Sequence, residues 1–238
     1  MSALVRYSYA KGIGWIDLDD GKVNVMTCQM QDEIAAAFEQ AERDNAVVVV
    51  RGRPGVFSAG FDLNVLKEGA QESADMVIGG FELAYTVMKH PRPVVMACTG
   101  HAIAMGVFLL MAGDYRIGIN GTSKLTANEV AIGLTLPHAA TELLRHRMTP
   151  SGFQRSALLA ETFSSRSAAE VGILDEVCPK ELFEDRVAEI AGSLAALDED
   201  AQTSTKRRTR EPSLHALAAA IARDQSEFDQ QLTSTGIR

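Results

Sequence analysis

Three short segments of this sequence carry residues that could act together on a carbonyl compound. Phe57–Leu63 and Gly100–Phe108 both combine glycine with small residues where a strand would turn into a helix. The first N–H groups of such a helix lack internal partners, so two turns could supply two donors to one carbonyl oxygen. Removing one donor of this kind costs on the order of 3 kcal/mol of transition-state stabilisation. The third segment, Thr126–Glu129, ends in the strongest acid/base candidate, Glu129.

The regions around these segments alternate between strand and helix patterns. Val47–Val50 and Val94–Ala97 are apolar runs typical of strands buried on both faces. Met30–Arg43 and Asp75–Lys89 carry apolar residues at helical spacing. Strand, turn and helix in repetition predict an α/β fold with largely parallel strands, which directs backbone donors towards ligands at its turns.

The character of the sequence changes after residue 180. Glu181–Leu197 and Ser213–Leu232 have helical patterns, with a polar, basic break at Thr203–Arg210 between them. We therefore expect a core over residues 1–180. A helical region over residues 181–238 should pack on that core or on another subunit.

Composition excludes several classes of partner and site. The net charge of −8 argues against nucleic acid, which requires a basic face. Three widely spaced cysteines predict neither a disulfide framework nor a metal site, and they suit a reducing, cytoplasmic location. Val94–Gly113 is uncharged and long enough to span a bilayer. Thr99 and His101 interrupt it, so a strand, a turn and a buried helix explain it better, and we expect no membrane partner.

The two glycine-containing segments and three further strings resemble the crotonase superfamily, the enoyl-CoA hydratase/isomerase family. The further strings are Lys22–Met26, Asn128–Gly133 and Ala168–Val177, and all five stand in the family's order. The resemblance implies a crotonase-like ββα spiral whose C-terminal helices mediate homotrimers, often paired into hexamers. It implies an acyl-CoA substrate and no cofactor besides the coenzyme A of that substrate.

Carried onto this sequence, the resemblance assigns the oxyanion-hole donors to the backbone N–H groups of Phe61 and Met105. Hydratases of the family use two glutamates to activate water; the first falls on Phe108 here and the second on Glu129. One carboxylate suits an isomerase, which takes a proton from C2 of a 3-enoyl thioester and returns it at C4. The Asn128–Gly133 string also resembles single-glutamate 3,2-enoyl-CoA isomerases. We expect Phe61 and Met105 to narrow or reshape the acyl pocket. Together with Phe108, they should also raise the pKa of Glu129 by desolvation.

The resemblance also implies a set of substrate-binding positions: Lys22, Val23, Val25, Ala59, Gly60, Gly106, Phe108 and His138. Ala59 falls where the family's backbone contacts the adenine of coenzyme A. Lys22, with Arg53 close by, falls near the phosphate-binding edge. The basic run Lys206–Arg210 could reach the phosphates of a neighbouring subunit's ligand, although a solvated linker is the favoured interpretation.

Three alternatives remain open from the sequence. The protein could hydrate 2-enoyl-CoA weakly, or it could bind acyl-CoA without catalysis. Another acid near the first glycine motif or the acyl pocket could also replace Glu129; the candidates are Asp62, Glu68, Asp75, Glu82 and Glu142.

Overall fold

Two parallel sheets form the centre of the protein. The computed structural model describes residues 3–68 and 71–235, without the side chains of Glu68 and Thr235. The strands are β1 (Val5–Ala10), β2 (Ile13–Leu18), β3 (Val47–Arg51), β4 (Gly55–Ser58), β5 (Val94–Cys98), β6 (Gly100–Ile103), β7 (Tyr115–Ile119), β8 (Leu125–Thr126) and β9 (Glu176–Cys178). The larger sheet has the order β1-β2-β3-β5-β7-β9, with only β1 antiparallel to its neighbour, and the smaller has the order β4-β6-β8.

Helices surround both sheets and form the C-terminal part of the described chain. They are α1 (Cys28–Arg43), α2 (Leu63–Glu68), α3 (Gln71–Lys89), α4 (Met105–Ala112), α5 (His138–Arg147), α6 (Pro150–Leu159), α7 (Ser165–Glu170), α8 (Phe183–Ala195) and α9 (Glu199–Thr235). Two short 3-10 turns, Val130–Ile132 and Lys180–Leu182, precede α5 and α8.

The chain passes three times from the large sheet to the small sheet and then to helical structure. The successive strand pairs are β3 with β4, β5 with β6, and β7 with β8. This repetition confirms the α/β architecture and the ββα spiral that the resemblance implies. It also places the ends of β4 and β6 side by side, because these two strands are hydrogen-bonded neighbours.

Strand β3 shows why its sequence lacks polar alternation. Val48 and Val50 face the main core together with α1, α3 and α4, whereas Val47 and Val49 pack under α8. All four side chains are buried, as expected for a parallel strand covered by helices on both faces.

The uncharged segment Val94–Gly113 contains two strands of different sheets and a buried helix, where the sequence predicts a strand, a turn and a buried helix. It comprises β5, β6 and α4, and all eight residues of α4 are buried. Among the described helices, none combines the length and apolar character that crossing a membrane requires.

The expectation of a break in helical structure at Thr203–Arg210 is wrong. Helix α9 runs through it without interruption for 37 residues and contains Pro212. Lys206 and Arg210 lie one helical turn apart and are both buried. Each pairs with Asp114, through Lys206 Nζ–Oδ2 at 2.5 Å and Arg210 Nη2–Oδ1 at 2.8 Å. The local pattern resembles a linker, but the distant carboxylate of Asp114 pairs with both buried cations and fixes the segment to the core.

Helix α9 packs mainly against α3 and α5, through residues such as Leu217 and Ala220. Helices α8 and α9 occupy the segment for which we expected a C-terminal helical region. The division of the chain at residue 180, and the role of this region in oligomers, remain predictions.

Replacement of Asp114 should weaken the packing of α9 on the core more than replacement of any exposed acidic residue of that helix. Asp114→Asn leaves two buried cations without a counter-charge, so we expect a loss of about 3 kcal/mol in the free energy of unfolding. The exposed Asp200→Asn is the control and should change it by less than about 0.5 kcal/mol. Urea unfolding followed by circular dichroism measures both, and equal effects would contradict this account of Asp114.

Candidate active site

The two glycine-containing turns touch each other through their backbones. A Cβ atom on Gly60, which has a φ of +84°, would lie 2.7 Å from the carbonyl oxygen of Ile103 and 3.2 Å from the nitrogen of Met105. A Cβ atom on Gly106 would lie 2.5 Å from the carbonyl oxygen of Ser58. Only glycine permits this approach, so both positions are required by packing as well as by turn geometry.

Both expected donors are free to donate a hydrogen bond to a ligand. The backbone N–H groups of Phe61 and Met105 meet no backbone or side-chain acceptor within the described residues. Met105 is the first residue of α4, and Ala104 before it has a φ of 49° and a ψ of −119°. An L-residue rarely adopts these angles, and strain of this kind costs about 1–3 kcal/mol. The turn therefore holds the Met105 N–H in place at an energetic cost.

The first turn is also fixed from the N-terminal side. The Ser58 hydroxyl donates to the carbonyl of Asn24 (2.7 Å), and Met26 N–H donates to the carbonyl of Gly60 (2.8 Å). The side chain of Asn24, which is fully buried, donates to the carbonyl of Phe57 (3.1 Å). Hydrogen bonds from the Lys22–Met26 segment thus fix the turn that contains Phe61.

Two adjacent glycines in α3, which the sequence analysis missed, make room for the bulky side chains after the turns. A Cβ atom on Gly80 would lie 2.6 Å from the ring of Phe61 and 3.3 Å from the sulfur of Met105. Gly79 similarly accommodates Gln31. A Gly-Gly pair inside a helix is unfavourable for the helix and is a sequence signal for such close packing.

A cavity of about 640 Å³ opens beside these turns. Its wall is largely apolar and comes from the two turns, α2, α3, the loop from Asn128 to Pro137, and the last turns of α9. Among the apolar residues lining it are Phe61, Leu66, Val77, Phe81, Phe108, Leu136 and Phe228. Phe61 therefore narrows the cavity as expected. The expectation for Met105 is wrong, because its fully buried side chain points to α3 and does not line the cavity.

Glu129 lies in the cavity wall, three residues after strand β8 ends at Thr126, and it directly precedes the 3-10 turn Val130–Ile132. Only 8% of its surface is exposed, and its Oε2 atom has no hydrogen-bond partner among the described residues. Burial disfavours the charged form and raises the pKa of Glu129 to about 7. Such a group can both accept and return a proton near neutral pH.

Phe108 lies on the first turns of α4 and faces the same cavity. It is 1% exposed, and its ring centroid lies 5.9 Å from that of Phe81, which in turn packs edge-on against Phe61 at 6.2 Å. Phe108 occupies the position at which the resemblance implies the first of the two glutamates of hydratases. It supplies no group that could polarise water.

The roof of the cavity comes from α9, which the sequence analysis did not include in the site. Asp224 accepts hydrogen bonds from the backbone N–H groups of His138 (2.8 Å) and Ala139 (2.9 Å), and so caps α5. Nε2 of His138 lies 3.0 Å from Glu227. Phe228 from the same helix faces the cavity. Nothing local in the sequence marks Asp224 as a cap, because its partners are more than 80 positions away.

The His138, Asp224 and Glu227 side chains are close enough together to consider a cation, with ligand atoms within 4.8 Å of one another. Both oxygens of Asp224 already accept backbone N–H groups. The cluster is therefore better explained as a helix cap beside a hydrogen bond between His138 and Glu227.

The predicted substrate-binding residues fall into three groups. Ala59, Phe108 and His138 line the cavity, whereas Gly60 and Gly106 lie buried beneath it. The remaining three positions, Lys22, Val23 and Val25, lie outside the lining. They adjoin the first turn, because Ala59 N–H donates to the carbonyl of Val23 (3.0 Å) and Val25 forms a bridge with Gly60. Their roles in binding remain predictions.

Most of the alternative acids do not reach the cavity. Asp62, Asp75, Glu82 and Glu142 are absent from its described lining, where the acidic residues are Glu129, Asp224 and Glu227. The side chain of Glu68 lies outside the description. Of the three acids that line the cavity, only Glu129 has a buried oxygen without a partner in the described chain.

Comparison with known proteins gives a consistent result. The sequence model of the family described as enoyl-CoA hydratase/isomerase matches residues 8–238. The crystal structure of the enoyl-CoA hydratase EchA3 from Mycobacterium ulcerans is 45% identical, with a TM-score of 0.91 over 94% of this chain and 99% of that chain. An enoyl-CoA isomerase of Mycobacterium tuberculosis is 44% identical, with a TM-score of 0.91 over 95% of this chain and 100% of that one. The human mitochondrial enoyl-CoA delta isomerase 1 is 25% identical over 99% of this chain and 80% of its own length.

The raised pKa of Glu129 has a consequence for stability. The folded protein holds this proton more tightly than the unfolded chain, in which the pKa is 4.5. The associated stability is complete below pH 4.5 and is lost as the pH rises through about 7. Glu129→Gln should therefore match the wild type at pH 4.5 and exceed it at pH 8 by on the order of 3 kcal/mol.

Thermal and urea unfolding across this pH range test the effect. The exposed Glu42→Gln on α1 serves as the control, because it makes the same chemical change outside the cavity. If the difference in the free energy of unfolding between Glu129→Gln and the wild type is independent of pH, folding does not raise the pKa of Glu129.

Proposed function

Because this chain belongs to the enoyl-CoA hydratase/isomerase family, we propose that it is an enzyme that converts 3-enoyl-CoA thioesters to 2-enoyl-CoA thioesters. The observation that carries the proposal is the single unpaired carboxylate of Glu129 in an aromatic cavity beside two free backbone donors. Phe108 at the facing position supports isomerisation over hydration.

The backbone donors hold the thioester in this mechanism. Its carbonyl oxygen accepts hydrogen bonds from the N–H groups of Phe61 and Met105, which come from two rigid turns. Such preorganised donors stabilise the negative charge that develops on the oxygen, and they require no reorganisation during the reaction. Backbone donors do not depend on the attached side chain, so Phe and Met are compatible with the role.

Glu129 carries the proton. Its carboxylate removes a proton from C2, and the electrons of that C–H bond form a dienolate whose negative charge lies on the thioester oxygen. The protonated Glu129 then delivers the same proton to C4. The double bond moves from C3–C4 to C2–C3, no atom is gained or lost, and no further cofactor is required by this scheme.

The pKa of about 7 suits both steps. An acid/base group works best when its pKa lies near the working pH, and this kind of catalysis contributes about 10²–10⁴-fold in rate. The same apolar lining that raises this pKa excludes water, which limits competing hydration of the product.

Hydration of a 2-enoyl-CoA is the second candidate. EchA3, a relative that is 45% identical, is described as an enoyl-CoA hydratase. Hydration requires that Glu129 alone position and activate the water, because Phe108 offers no second carboxylate. Binding without catalysis is a further alternative, and wild-type turnover tests it directly.

Several parts of the expected function remain proposals. Lys22 and Arg53 lie together, with Arg53 Nη1 donating to the carbonyl of Lys22 (3.1 Å), and this edge is our proposed contact for the coenzyme A phosphates. A trimeric or hexameric assembly and a cytoplasmic location are also predictions.

Removal of the proposed base should abolish isomerisation and preserve binding. Glu129→Gln keeps the shape of the side chain, so we expect kcat with 3-octenoyl-CoA to fall about 10²–10⁴-fold. The affinity for octanoyl-CoA, measured by calorimetry, should stay within about threefold. The conjugated 2-enoyl thioester is followed by its ultraviolet absorbance.

Glu227→Gln is the matched control, because it removes an acid from the same cavity. It should retain kcat within a few-fold. Full activity in Glu129→Gln, or a greater loss in Glu227→Gln, would refute the assignment of the base. A wild-type protein that binds octanoyl-CoA but converts neither enoyl isomer would favour the non-catalytic alternative.

Restoring a carboxylate at position 108 separates isomerase from hydratase. The wild type should isomerise 3-octenoyl-CoA at least about 100-fold faster than it hydrates 2-octenoyl-CoA, because it lacks the second acid. Phe108→Glu should raise the hydration rate, whereas the apolar control Phe108→Leu should not. Chromatographic detection of 3-hydroxyacyl-CoA measures this product. Wild-type hydration as fast as isomerisation would contradict the proposed reaction.

A further inference from the structure

A second cavity, of about 650 Å³, lies at the opposite end of the large sheet. It is bounded by the segments before β5 and β7, the C-terminal ends of α5 and α8, and the first three turns of α9. It shares none of its described lining residues with the cavity that holds Glu129. The proposed isomerase reaction therefore gives it no role.

Positive charge exceeds negative charge around this cavity. Four cationic side chains gather here, namely Arg116, Arg147, Lys206 and Arg210, and the last three line the cavity. The carboxylates packed among them are Asp114 and Asp175. Asp198 is exposed at the rim and accepts the N–H of Ala201 at the start of α9.

The two neighbouring histidines, His90 and His146, do not change this balance. His90 interacts electrostatically with Lys206 and Asp114, and burial lowers its pKa to about 4. His146 lies against Arg210, whose guanidinium donates to its Nε2 atom, and its Nδ1 atom contacts the hydroxyl of Ser213. Burial and then the charge of Arg210 lower the pKa of His146 to about 4, so the ring is neutral at pH 7. It acts as an acceptor for Arg210 and adds no negative charge.

Two of the cations that line the cavity have a donor without an acceptor. Nε of Arg147 is buried and has no hydrogen-bond partner in the described chain. Lys206 Nζ donates to Asp114 and to the carbonyl of Arg92, which leaves its third N–H for another acceptor. Buried donors without an acceptor are costly, so this arrangement is suited to an additional anion.

The pKa of Arg147 is consistent with the same surplus of positive charge. Burial, followed by repulsion from Arg116, lowers the pKa of Arg147 to about 10. Burial also lowers the pKa of Lys206, despite its contact with Asp114. Both shifts would be reversed by a negative group placed in the cavity.

We propose that this cavity binds a small oxyanion, a phosphate or carboxylate group, through Arg147 and Lys206. The group could be a free anion from solution or an acidic side chain from a second copy of the chain, and both offer the same oxygen acceptors. The site accounts for the part of the basic run Lys206–Arg210 that faces inward, while Arg207 and Arg208 remain exposed.

Gln202 provides a direct test, because its Oε1 atom is buried without a partner and the residue lines the cavity. Gln202→Glu places a carboxylate where we expect the anion to act. The exposed Gln230→Glu on the same helix makes the same chemical change outside both cavities. Arg147→Gln provides a second variant, which removes a cation of the site.

Thermal unfolding is measured with inorganic phosphate from 0 to about 20 mM, with sodium chloride added to hold the ionic strength constant. If phosphate binds with a Kd near about 1 mM, the Tm of the wild type should rise by about 3–6 °C. Gln202→Glu should have a raised Tm without phosphate and should lose most of the response. Gln230→Glu should respond as the wild type does, and Arg147→Gln should respond weakly.

Size-exclusion chromatography with light scattering measures the molar mass and distinguishes the two sources of the anion. A phosphate response with unchanged mass supports a free anion. A lower mass in Gln202→Glu and Arg147→Gln, without a phosphate response in the wild type, supports a carboxylate from a second copy. The proposal is overturned if phosphate has no effect and the mass is unchanged, or if Gln202→Glu responds to phosphate as fully as the wild type.

Discussion

The backbone contact between two successive turns of the spiral is the constraint on which the candidate active site depends. At Gly60 and Gly106 any side chain would collide with the backbone of the other turn. The contact brings together the starts of two helical segments that lie more than 40 residues apart in sequence. It therefore sets two backbone donors relative to each other without using a functional side chain. This explains how the site can carry Phe61 and Met105, provided that another element accommodates their bulk.

The packing around Phe61 and Met105 shows that distant parts of the chain contribute to the site. The ring of Phe61 and the sulfur of Met105 fit against Gly80 of α3, and the Phe61 ring continues into a cluster with Phe81 and Phe108. The same cluster lines the cavity in whose wall Glu129 is buried. The electrostatic property proposed for catalysis is thus a result of packing, because a buried carboxyl group loses hydration, and its Oε2 atom finds no replacement partner in the described chain.

The sequence was sufficient for features that depend on local pattern. The valine run of β3, the two glycine turns and the placement of Glu129 in the cavity all agree with the structure. Features that depend on distant partners were missed or wrong. The basic run in α9 resembles a linker until Asp114, 92 positions away from Lys206, is brought beside it. The orientation of Met105 likewise depends on a glycine in another helix, and the contribution of α9 to the cavity depends on a cap 86 positions away from His138.

The cap formed by Asp224 has a consequence for the order in which the protein is made. The sheets, both turns and Glu129 are all encoded before residue 180, and local parts of this core can form while the chain is still being synthesised. The roof cannot, because Asp224 and Phe228 follow the core in the chain and leave the ribosome after it. Until then the first turn of α5 lacks its carboxylate partner and one side of the cavity faces water. A newly made chain can therefore form the two turns that carry the Phe61 and Met105 N–H groups before it forms the enclosed environment in which Glu129 is buried.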